Sequence, residues 1–83
     1  MLVLQSITSD RADLVHVAYS LTEMKLYLEE NSGSLTKLPA LVVLEINLQE
    51  RFVRTYGFVT CGARHAYITK SAGPKLPISV LPC

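Results

Sequence analysis

The octamer RTYGFVTC, Arg54 to Cys61, sets two aromatics on either side of a glycine, behind an arginine and ahead of a valine. Just upstream, ALVVLEINL alternates across Leu44, Glu45, Ile46, Asn47 and Leu48 as a strand does, and QER turns the chain into FVRTYGFVT. The two segments are predicted to pair as an antiparallel hairpin. Alternate residues of a strand share a face, which puts Arg54, Tyr56, Phe58 and Thr60 on one side and Val53, Thr55, Gly57, Val59 and Cys61 on the other. The second set is smaller and mostly apolar and suits packing on helices. Two rings and a guanidinium are then expected on the open face of a sheet.

Working outward, ADLVHVAYS alternates with Val15, Val17 and Tyr19 on one face and Leu14, His16 and Ala18 on the other. SLTE follows, where Ser20 caps a helix and Glu23 reaches back to the cap's N–H. Leu21, Met24 and Leu28 then make one apolar stripe, and Asn31-Ser32-Gly33 supplies the stop. A single helix from Asp10 to Glu30 would also align Leu14, Val17, Ala18, Leu21, Met24 and Leu28. It places β-branched Val15 and Val17 inside a helix and ignores the capping box, so a break at Ser20 is preferred. GARHAYITKSAG fits a short helix or another strand, and Gly73-Pro74 ends it either way. PISVLP, with Pro77 and Pro82, reads as an edge strand. Residues 1–12 read as an extension or an extra strand, ahead of one domain over 13–83.

With this order of elements, the octamer resembles that of the RNA recognition motif, Lys/Arg-Gly-Phe/Tyr-Gly/Ala-Phe-Val-x-Phe/Tyr. Arg54, Tyr56, Gly57, Phe58 and Val59 match it, while Thr55 and Cys61 depart from it. VHVAYS, Val15 to Ser20, is similar to the family's first-strand hexamer through Val15, His16 and Val17, with His in the aromatic place, and departs at Tyr19 and Ser20. The resemblance runs from Leu14 to about Val59. It implies an α+β, ferredoxin-like βαββαβ sandwich, an antiparallel sheet backed by helices. It also implies a non-enzymatic domain that binds single-stranded RNA, stacking bases on Tyr56, Phe58 and His16 while Arg54 and Arg51 neutralise phosphate.

Composition bounds these expectations. The chain has 83 residues, 49% of them apolar, which is one domain too apolar for disorder. No apolar run is long enough to span a bilayer, and MLVLQSITSD lacks the basic start of a signal peptide, so a soluble intracellular protein, nuclear or cytoplasmic, is expected without a membrane partner. All seven acids precede residue 51, with Arg11, Lys25 and Lys37 among them, whereas Arg51, Arg54, Arg64, Lys70 and Lys75 follow with no acid. That asymmetry suits an anionic partner unless folding interleaves the halves. Cys61 and Cys83 are too few for a disulfide framework and are expected as reduced thiols. Cys61 and His65 lie four apart, but alternation turns Cys61 inward and no oxyanion donor accompanies it, so no catalytic residue, metal or cofactor is assigned.

The same residues support a rival. Tyr and Phe beside an Arg are also anchors of protein interfaces, and Glu45 and Asn47 beside them would oppose phosphate. A protein-binding or self-associating module of the same fold class is the alternative partner assignment.

Overall fold

The computed structural model describes residues 1–61 and 79–83. The first residues are not a loose arm. LVLQSI forms strand β1 (Leu2–Ile7), which lies between two neighbours: β2 (Ala12–Ala18) on one side and β3 (Ala40–Asn47) on the other, both antiparallel to it. Leu2, Val3 and Leu4 are all buried, so this segment loses apolar surface on both sheet faces, as an interior strand does. β4 (Phe52–Thr60) pairs antiparallel with β3, and β5 (Ser79–Pro82) lies parallel to β4 at the far edge. The sheet order is β2-β1-β3-β4-β5.

This arrangement overturns the expected ferredoxin-like βαββαβ sandwich. The sheet is mixed and five-stranded, and among the described residues only one helix, α1 (Leu21–Glu30), exceeds the four residues of α2 (Ser32–Leu35). The physical reason is the first segment. Being the more apolar, it takes the interior place and leaves the VHVA strand, with its exposed Ala12, Asp13 and Leu14, at the edge. GARHAYITKSAG lies outside the described residues.

The chain breaks at Ser20, between β2 and α1, rather than running as one helix. Ser20 Oγ accepts from the Glu23 N–H at 3.1 Å, and Glu23 Oε2 accepts from the Tyr19 N–H at 3.0 Å, one residue earlier than the cap's own N–H. Such a cap contributes about 1 kcal/mol. Met24 and Leu28 turn into the core, and the Asn31 side chain closes the helix by donating to the Tyr27 carbonyl at 2.9 Å.

The helices bury one face of the sheet. Leu2 and Leu4 from β1, Leu41 and Val43 from β3, Val59 from β4 and Leu81 from β5 meet Met24, Leu28 and Leu35 there. Cys61 joins this core and is buried beside Val59, as alternation predicts. It is not a reduced thiol: Cys61 and Cys83 form a disulfide, their Cα atoms 5.5 Å apart, which is within the usual span of a bridge.

Candidate functional site

Two bulges decide which residues meet. In the β3–β4 ladder Val43 faces Gly57 and Leu44 faces Thr55, so Tyr56 is an extra residue on β4. A bulge of this kind resets the alternation, and residues beyond it change face relative to those before it. Gly57 and Val59 therefore share the helix face with Arg54, whose partner Glu45 is itself across from Leu2. Tyr56 packs against the helix-side core, and Phe58, opposite Val42, lies on the other face. The expectation that Arg54, Tyr56 and Phe58 share one face is thereby corrected. The second bulge, between Leu4 and Gln5 in the β1–β2 ladder, leaves Val15 without a partner and sets His16 across from Leu4.

His16 is likewise not on a central strand. It belongs to the edge strand β2, and its ring stacks on Tyr27 of α1 with centroids 3.8 Å apart and planes 4° apart. One face of the imidazole is thus taken by a tyrosine. Arg51 sits exposed in the β3–β4 turn with φ 56°. The five residues assigned to RNA therefore occupy four separate places: His16 on the edge strand, Arg51 in the turn, Phe58 on the other sheet face, and Arg54 with Tyr56 on the helix face.

At the start of α1 is a cleft of about 380 Å³, lined by Leu2, Tyr19, Leu21, Glu45, Ile46 and Tyr56 among others, which Arg54 borders through its partner Glu45. Tyr19 forms the outer wall and is 80% exposed, whereas Tyr56 is half-buried. The Arg54 guanidinium approaches Glu45 Oε1 through Nη2 at 2.8 Å and Nε at 3.0 Å, and Arg54 Cζ lies 5.5 Å from the Phe52 ring centroid. On the far side the Met1 ammonium donates to the Ile46 carbonyl at 3.2 Å, and the Ile46 N–H donates back to Met1 at 2.8 Å. Asn47 Oδ1 accepts from the Glu50 N–H at 2.9 Å, which ties down the hairpin end.

Among the described residues no three His, Cys, Asp or Glu side chains gather to hold a metal ion. Cys61, the thiol weighed as a nucleophile, is buried and bonded to Cys83, and His65 lies outside the described residues. No described helix is long and apolar enough to cross a membrane.

Reading the sequence missed Tyr19 as a site residue and missed the bulge that turns Tyr56 to the helix side. Tyr19 stood out only as a departure from a hexamer, although a tyrosine just before a helix cap is well placed to project. Gly57 carried the other signal, since a glycine inside a strand often marks a bulge. Compared with known proteins, the chain matches no family model, no curated protein and no solved structure.

Proposed function

We propose that this chain is a non-catalytic protein-binding module, which takes an uncharged aromatic or aliphatic side chain of a partner protein between Tyr19 and Tyr56. The observation that carries this proposal is the Arg54–Glu45 ion pair beside the rings. It sets the cleft's carboxylate and the Arg54 guanidinium against each other, and the Met1 ammonium is engaged by the Ile46 carbonyl, so what the lining mainly offers is two tyrosines, Leu2, Leu21 and Ile46. Tyrosine in such a place gives a large, stiff contact surface with a polar tip, the usual anchor of a protein interface. Single-stranded RNA, the rival partner, would need stacking rings free of carboxylate and close to unpaired cations.

The test is to pan a random peptide library on the folded chain, and to repeat it with Tyr19→Ala, a change at an exposed position that leaves the core intact. Selected peptides should lose about tenfold or more in affinity against the variant, as truncated anchors do. They should also shift the amides of Leu21, Glu45 and Ile46 in a two-dimensional NMR titration. Peptides indifferent to Tyr19, or a random RNA oligonucleotide pool that moves those same amides with a steep salt dependence, would overturn the proposal in favour of another surface or of RNA.

A further inference from the structure

The disulfide sits where a small, weak element joins the sheet. β5 has four residues, lies parallel to β4 and forms the sheet edge, and parallel pairing is slightly weaker per residue than antiparallel. Further ties among the described residues include the Cys83 N–H to the Thr60 carbonyl at 3.3 Å and Thr60 Oγ1 to the Leu81 carbonyl at 3.4 Å. Yet Leu81 is only 4% exposed and belongs to the core beneath α1. A weakly paired strand thus fills part of the core, and one covalent bond fastens its end.

That bond is also reachable from one side. Cys61 is buried, but Cys83 is half-buried and lines a groove of about 340 Å³ together with Pro82 and with Lys25 and Glu29 of α1. A small thiol entering the groove meets Cys83 first.

We infer that Cys61–Cys83 is a thiol–disulfide switch that docks β5 when oxidised and releases it when reduced by a small dithiol. In the first step a reductant thiolate attacks Cys83 Sγ, the Sγ–Sγ bond breaks, and Cys61 leaves as a thiolate that takes up a proton. The reductant's second thiol, losing its proton, then attacks its own sulfur in the mixed disulfide and frees Cys83. The cysteine pair gains two electrons and two protons, and the dithiol becomes a disulfide. Without the bridge, β5 keeps only the short parallel pairing, its bonds to Thr60 and the packing of Leu81, and the β4 edge from Gly57 to Thr60 opens when they give way.

The experiment uses the whole chain, oxidised in air or reduced with dithiothreitol, read by intact mass after alkylation and by amide hydrogen exchange. The oxidised chain should take up no alkylating reagent. On reduction both cysteines should react, and exchange at Val59, Thr60 and Leu81 should rise about tenfold or more, while Leu4 and Val43 stay protected. Cys83→Ser should match the reduced protein even under oxidant. Alkylation of the air-oxidised chain would show that no bridge forms. Unchanged exchange on reduction, or protection of Leu81 retained in Cys83→Ser, would show that the bridge holds nothing. Loss of protection at Leu4 and Val43 along with Leu81 would make it a staple for the whole fold. Any of these three outcomes overturns the switch.

Discussion

Arg54 of β4 reaches across the ladder to Glu45 of β3, directly opposite in register, and meets one carboxylate oxygen through both Nη2 and Nε. The pair is a cross-strand contact between a largely exposed guanidinium and a carboxylate that is 27% exposed, so solvent screens it. Glu45→Gln should therefore cost only about 0.2–1 kcal/mol in urea unfolding. Its larger effect should be on what the cleft tolerates. With the carboxylate gone, the Arg54 guanidinium beside the cleft is uncompensated, and binding of an RNA oligonucleotide pool should strengthen with a salt slope steeper by roughly 0.7, one phosphate contact. An unchanged slope would mean that Arg54 does not face whatever RNA the chain holds.

Tyr56 and Phe58 stand two residues apart but on opposite faces, because Tyr56 is the bulged residue. Tyr56→Ala should lower stability by about 1–3 kcal/mol, since the ring is half-buried against the helix-side core, and Tyr56→Phe should restore most of that. Phe58→Ala empties a different environment, beside Val42 and Val80. The double variant should consequently be additive to within about 0.5 kcal/mol. A coupling well above that, measured by chemical denaturation, would place the rings side by side on one face and remove the bulge.

The elements that were legible in the sequence are those whose signals are local. Ser20 and Glu23 announce the start of α1, the stripe of Met24 and Leu28 sets its buried side, and the alternation over Leu44 to Asn47 marks β3. What local signals do not carry is strand order and ladder phase. Leu2 and Leu4 alternate with Val3 and Gln5 as a strand should, yet nothing in six residues says that both edges of that strand will be paired. The bulge at Tyr56 is harder still, because period-two alternation is intact on each side of it and only the phase changes. The cleft was invisible for the same reason: Tyr19 and Tyr56 are 37 positions apart in sequence and meet through pairings of β1 that local patterns leave open.

His16 and Tyr27 stack nearly parallel across the join between the edge strand and α1. The pair joins the edge strand to the helix, so it should matter more to the edge than to the rest of the sheet. His16→Ala and Tyr27→Ala should each destabilise the chain, with a coupling of about 0.5–1.5 kcal/mol in a double-mutant cycle. His16→Phe should keep most of that coupling, as it retains a ring in the same place. Additive single effects would show that the rings do not touch in solution, and would leave the imidazole free to stack on a base.

Arg51 closes the β3–β4 turn in the left-handed region, with φ 56°. Among the described residues it is the one non-glycine residue with positive φ, and Glu50, just before it, is held by its N–H to Asn47 Oδ1. An L residue with a Cβ is strained there by roughly 1–2 kcal/mol, whereas glycine is not, though glycine gives back about 0.5–1 kcal/mol through its freer unfolded chain. Arg51→Gly should therefore leave stability unchanged or raise it by up to about 1 kcal/mol, a gain of a few degrees in Tm for a chain of this size. Arg51→Ala keeps the strain and removes only the exposed guanidinium, so it should lie within about 0.5 kcal/mol of the parent. The two variants together separate backbone from side chain: if glycine destabilises while alanine does not, the turn does not hold residue 51 at positive φ. If both destabilise alike, the guanidinium makes a contact that the turn geometry alone does not require.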